Sequence, residues 1–128
     1  MIKALIPSQE EFNKYKKECK ELYEACQKKI CDTNTFEFIT TQTFFFLFET
    51  NGILIGAIYY FVNDDGKLYL NGFAKRKMHY LCLECLKMSL NWFKGRIYAE
   101  AQNRASALCL LRCGFKRVKG KLFVIREQ

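Results

Sequence analysis

The sequence predicts a mixed α/β fold, with helices on both faces of one mostly antiparallel central sheet, in a single domain spanning residues 1–128. Three observations lead there. Two β-rich runs, 43–49 and 53–62, are joined by Thr50, Asn51 and Gly52, and Asn-Gly is the strongest short-range hairpin signal. The succession 67–73, 79–93, 96–101 reads as strand, helix, strand, and a right-handed crossover makes its two strands parallel neighbours. Half of the 128 residues are apolar and one is proline, which suits a single core.

Residues 2–6 read as a strand, and Ser8 followed by Glu10 and Glu11 reads as a helix start with an N-cap and acidic first turn. Phe12, Tyr15, Cys19, Leu22, Tyr23 and Cys26 recur at spacings of three and four, which buries one face of a helix over 9–28. Polar residues 32–35 break that pattern, and 36–41 is either extended or helical. The hairpin follows, and a turn at 63–66 leads into a third antiparallel strand, 67–73. Within 43–49, Phe44, Phe46 and Phe48 alternate with Phe45 and Leu47. Two apolar faces imply either a doubly covered strand or a protein partner on one side.

Cys82, Leu83, Leu86, Leu90 and Phe93 form a helical stripe closed by Lys94 and Gly95. Strand 96–101, helix 103–113 and strands 115–118 and 122–125 complete the order β-α-β-β-β-α-β-α-β-β.

The longest apolar runs, 43–48 and 53–62, fall far short of the roughly 20 residues that span a bilayer. The stretch 1–7 has one Lys and too short an apolar segment for a secretion signal, so the expectation is a soluble, cytoplasmic protein without a membrane partner. Seven cysteines are an odd number, and Cys82, Cys85, Cys109 and Cys113 fall on apolar helix faces, where free thiols act as small hydrophobes in a reducing compartment. A four-thiolate zinc site from these residues would lack the usual knuckle glycines, so no metal is expected. Charge is uneven: residues 1–65 hold 7 Lys/Arg against 10 Asp/Glu, and 66–128 hold 14 against 3, giving halves of −3 and +11. The basic half is either a solvated surface or the seat of a polyanion; without a stacking motif, nucleic acid is not the favoured one.

The run 96–115 pairs a strand ending at Glu100 with Asn103, an amphipathic helix and Cys113-Gly114-Phe115. Together with a strand ending at Phe73, the basic turn Lys75-Arg76-Lys77 and a helix closing on Asn91-Trp92-Phe93, it resembles the GCN5-related N-acetyltransferase (GNAT) family. The likeness covers nearly the whole chain in pattern and residues 67–118 in sequence. It implies acetyl-CoA as cofactor and an amine acceptor. Backbone at Phe73, Ala74 and Lys75 would hold the pantetheine, Lys75, Arg76 and Lys77 would meet the phosphates, and Asn103 would bind the pantetheine, cap its helix, or both.

Two departures stand out. The family turn reads Arg/Gln-x-x-Gly-x-Gly/Ala, and here Lys77, Tyr80 and Cys82 fill the three defining positions without a glycine. Many members carry a proton-donating Tyr four residues before the final Gly; here that residue is Leu110. Glu100 is the candidate general base, with Tyr69 or Asn71 to hold a water, although such a residue is more often simply an exposed strand-end carboxylate. His79 would touch phosphate or solvent. The other reading is a GNAT-like binding or structural module without the cofactor, similar to compact bacteriophage-encoded ones acting in particle assembly, in host cytoplasm or the virion.

Overall fold

Asn51 and Gly52 both take positive φ, 50° and 79°, the left-handed pair that a two-residue hairpin turn needs. The runs on either side therefore fold back as β2 (Phe44–Thr50) and β3 (Ile53–Val62), paired from Thr50↔Ile53 to Phe44↔Tyr60. This is a computed structural model, and it describes residues 1–126. Around the hairpin lie β1 (Ile2–Leu5), β4 (Leu68–Ala74), β5 (Ile97–Glu100), β6 (Lys116–Lys119) and β7 (Leu122–Ile125), in the sheet order β1-β2-β3-β4-β5-β7-β6. Every pairing is antiparallel except β4 with β5. The expected mixed, mostly antiparallel sheet is present, and the order of elements matches the expected one except for a second helix between β1 and β2.

Helices α1 (Lys16–Ile30) and α2 (Phe36–Gln42) cover one face of the sheet, and α3 (Cys82–Leu90) and α4 (Arg104–Arg112) the other. Phe45 shows why the first face holds. It is 2% exposed, and its ring lies 5.8–6.5 Å from those of Phe12, Phe36, Tyr59 and Phe73. Burying one such side chain stabilises by about 1.5–3 kcal/mol. On the second face Tyr60, Leu86, Leu90, Ile97, Leu110 and Phe123 form the core. β2 is thus covered on both sides, with Phe46 and Phe48 against Trp92 while Phe45 and Leu47 face α1.

Two local expectations are corrected and one open alternative is resolved. Ser8 is not the N-cap: a 3-10 turn over Glu10–Lys14 precedes α1, and it is Gln9 whose Oε1 accepts the Ile6 N–H at 2.8 Å. The unassigned stretch is α2, capped by Thr35 Oγ1 on the Phe38 N–H at 3.0 Å. The helix expected over 79–93 begins as a 3-10 turn at Arg76–Leu81 and ends at Leu90. Beyond it, the Arg126 guanidinium donates to Phe93 O at 2.6 Å and Leu90 O at 2.8 Å, satisfying carbonyls the helix leaves free.

Glu49 is 7% exposed, and its Oε2 accepts from Tyr15 Oη at 2.8 Å and from the Gly52 N–H at 3.0 Å, which ties the hairpin turn to the start of α1. No described helix is long and apolar enough to cross a membrane.

Gly56 sets how closely β3 and β4 meet, since a Cβ there would stand 2.1 Å from Phe73 O and 2.6 Å from Ala74 Cα. Gly56→Ala is expected to cost about 3 kcal/mol by forcing β4 outward. The check is a urea melt with a lowered midpoint and unchanged slope; a midpoint like that of the unsubstituted protein would refute the close approach.

Candidate functional site

β4 and β5 share only the pairs Tyr69↔Tyr98 and Leu70↔Ala99, although β4 stays paired with β3 as far as Ala74↔Gly56. Residues 71–74 therefore continue with a neighbouring strand on one side alone. β5 meanwhile stays with β7, and just beyond it the Ala101 N–H reaches Lys121 O at 2.9 Å. The Lys75 N–H donates to Ile55 O at 2.8 Å, so by antiparallel alternation Asn71 and Phe73 also turn their backbone groups to β3, and Gly72 and Ala74 turn theirs into the gap.

On the α1 face this gap opens into a cleft of about 280 Å³. Tyr69 and Asn71 of β4, Glu100 at the end of β5, and Asp32 and Asn34 from the α1–α2 connection line it. The structure thus gathers Glu100, Tyr69 and Asn71, the three residues the sequence proposed for base and water. Asn71 is also a structural anchor, since Oδ1 accepts the Gly72 N–H at 2.8 Å and Nδ2 donates to Ile30 O at 3.1 Å, pinning the mouth of the gap to the end of α1. Glu100 is exposed.

Asp32, Asn34 and Gly72 were outside the expected set. Asp32 Oδ2 accepts from Tyr59 Oη at 2.5 Å, and Oδ1 from the Asn34 N–H at 2.8 Å. The polar break at 32–35 signalled only a loop, because no periodicity links it to Tyr59, 27 residues away. Glycine within a strand is a usable signal of close backbone approach, and Gly72 is one.

The expected phosphate side is built differently from the family turn. Of the segment 77–82, where the pattern calls for open N–H groups, residues 77–81 are wound into the 3-10 turn, and the N–H of Cys82, the first residue of α3, donates to His79 O. Tyr80 points outward, 74% exposed. Arg76 and Lys77 are exposed, while Lys75 forms an ion pair with Glu18 of α1. Phe73 contributes its ring to the core, 5.4 Å from that of Tyr23. Asn103 caps α4, its Oδ1 taking the Ser106 N–H at 2.9 Å.

Leu110 is buried. Its thiol neighbours are poor proton sources, because burial raises Cys109 and pushes Cys113 up to about 11. Among the described residues no group of three or more His, Cys, Asp or Glu is arranged to hold a metal.

No protein-family model matches the chain, and no curated protein matches its sequence. Solved structures do. An N-acetyltransferase from Staphylococcus aureus Mu50 aligns over 98% of this chain and 97% of its own, with TM-score 0.70 and 14% identity. An acetyltransferase of the GNAT family from the same organism gives 0.63 and 14% identity over 98% of both chains. PaiA N-acetyltransferase from Thermoplasma acidophilum, in complex with coenzyme A, gives 0.54 and 15% identity over 97% and 96%. The chain therefore has the GNAT fold.

Burial lifts Tyr15 and Tyr60 to about 12, Glu49 adding to the rise at Tyr15 and the Ser89 hydrogen bond opposing it at Tyr60, and lifts Tyr23 and Tyr59 further with help from Asp32. It also lifts Cys82 to about 11 and Cys85 to about 12. In the unfolded chain thiols ionise near 8.5 and phenols near 10. Above those values the unfolded state releases protons that the folded state keeps, so stability is full below about pH 8.5 and falls as pH rises, most steeply above 10. A tyrosinate titration should show these four of the seven tyrosines ionising only beyond pH 10 or on unfolding; all seven titrating together near 10 in the folded protein would contradict their burial.

Proposed function

We propose that this chain is an N-acetyltransferase that takes the acetyl group of acetyl-CoA and passes it to an amine. The observation that carries this reading is the gap between β4 and β5, with Gly72 and Ala74 paired to no second strand and a carboxylate-bearing cleft at the mouth. An extended amide-containing arm fits such a gap, because the Gly72 carbonyl and the Ala74 N–H and carbonyl have no strand partner there, while the Gly72 N–H is held by Asn71 Oδ1 at 2.8 Å. Acetyl-CoA would supply an activated thioester.

The phosphates would be met chiefly by charge. Arg76 and Lys77 stand exposed at the start of the 3-10 turn, and Lys75 would have to leave Glu18 to join them. Without the glycine cradle the site depends on side-chain cations, which are more strongly screened by salt than a buried ring of N–H groups.

Glu100 would accept the proton from the acceptor's ammonium, directly or through a water held by Tyr69, and so free the nitrogen lone pair. The nitrogen then attacks the thioester carbonyl, the C–N bond forms and the C–S bond breaks with its electron pair on sulfur. With Leu110 at the usual acid position, the thiolate takes its proton from solvent. The other carboxylate on the cleft lining is Asp32, already engaged by two donors, and Asp65 stands outside the lining, accepting from Tyr69 Oη at 3.2 Å. The three structural neighbours are acetyltransferases, so the binding-module reading gains nothing from them.

The test combines binding and turnover. Acetyl-CoA should bind in calorimetric titration, and replacing Arg76 and Lys77 by Ala should weaken it at least tenfold. Glu100→Gln should lower kcat by about 10²–10³ with little change in acetyl-CoA affinity. No binding at millimolar acetyl-CoA would overturn the proposal.

A further inference from the structure

Resting on the acetyl-transfer reading, we propose that the acceptor is a compact diamine: one amine faces Glu100, and the second, protonated, is held by the Asp32 carboxylate. The cleft is distinct in charge from the rest of the molecule. The chain carries 21 Lys and Arg against 13 Asp and Glu, yet the cleft lining includes Asp32 and Glu100 and no Lys, Arg or His. Lys67, just before β4, is turned to the Tyr98 ring, 5.0 Å from its centroid, and lies outside the lining.

The two carboxylates come from different layers. Glu100 ends a strand, whereas Asp32 leaves the end of α1 and is fixed in place by the two donors described above, Tyr59 Oη and the Asn34 N–H. A carboxylate has about four lone-pair sites, so these two bonds orient Asp32 and leave each oxygen able to accept from an ammonium. Tyr59 is itself 1% exposed and donates from the floor of the α1-side core. Burial and Asp32 both favour its neutral form, so it stays a donor across the physiological range.

Size and polarity narrow the choice further. About 280 Å³ lies at the small end for ligand clefts, which suits a short acceptor rather than a folded partner. Asn34 and Asn63 add amide oxygens that accept from N–H groups, while those of Asn71 and Gln102 already take the Gly72 N–H at 2.8 Å and, from outside the lining, the Lys121 ammonium at 3.2 Å. An acceptor bearing a carboxylate or phosphate would bring an anion beside Asp32 and Glu100 with no cation in the lining to offset it. An acceptor with one amine and an alkyl tail would leave the Asp32 carboxylate facing hydrocarbon.

The experiment is a calorimetric titration of the full chain, with and without coenzyme A, using 1,4-diaminobutane and 1-aminobutane as probes. The diamine is expected to bind about tenfold or more tightly than the monoamine. Asp32→Asn is expected to bring the two to parity, and Tyr59→Phe, which keeps the Asp32 charge and loses its orienting donor, to leave a reduced preference. Equal affinities in the unsubstituted protein overturn the proposal whatever the variants do, and so does a preference that survives Asp32→Asn in a folded variant. Acetylation assays keep the two readings apart. Equal kcat/KM for both amines refutes the diamine acceptor and leaves acetyl transfer standing. Selective diamine binding without acetylated product supports the cleft's ligand and refutes the transfer.

Discussion

Two residue pairs hold β4 to β5, and the parting that follows governs the rest of the site. A strand inside a sheet normally shares its backbone groups with neighbours on both sides, and leaving several unpaired is costly where water is excluded. Here β4 is kept straight by seven pairs with β3, and β5 is drawn the other way by four pairs with β7. Neither strand can close the gap without breaking a ladder on its far side. The close approach at Gly56 and the Asn71 amide, anchored to Ile30 O and to Gly72, reinforce the same divergence.

From that parting the layers acquire different roles. The α1 and α2 face supplies Asp32 and Asn34 over the α1-side cleft, and β4 and β5 supply Tyr69, Asn71 and Glu100. The α3 and α4 face is more apolar, with Leu110 and half-buried thiols where an acid would otherwise stand. Chemistry at such a site would rest on the carboxylate of Glu100 and on a leaving group stable enough to depart unprotonated. Recognition of phosphates would rest on side-chain cations rather than on a preset ring of N–H groups, because in the turn before α3 the Met78 and Cys82 N–H groups are taken by Lys75 O and His79 O.

Much of the fold was legible because its signals are local. Asn51-Gly52 dictates its own turn, the three- and four-residue spacing from Phe12 to Cys26 marks the buried face of α1, and Asn103 identifies itself as a cap. Glu100 was legible as a strand-end carboxylate, and the structure adds the cleft around it. What was not legible depends on contacts distant in sequence. Asp32 matters only because Tyr59 lies beneath it, and Lys75 pairs with Glu18, 57 residues earlier, for reasons of sheet and helix packing. The 3-10 turn at Arg76–Leu81 was hidden for a different reason: its residues are compatible with helix, and nothing in their order marks where the winding tightens.

Everything at the site requires that the β4 edge beyond Leu70 be free to receive an extended amide arm. Hydrogen exchange on the peptide covering residues 71–75, with and without acetyl-CoA, tests this most directly. The Ala74 amide should exchange quickly in the free protein and become protected on addition of acetyl-CoA, while amides of β3 and β7 remain protected throughout. Unchanged exchange at 71–75 under saturating acetyl-CoA, or strong protection at Ala74 in its absence, would contradict an open edge that binds the cofactor.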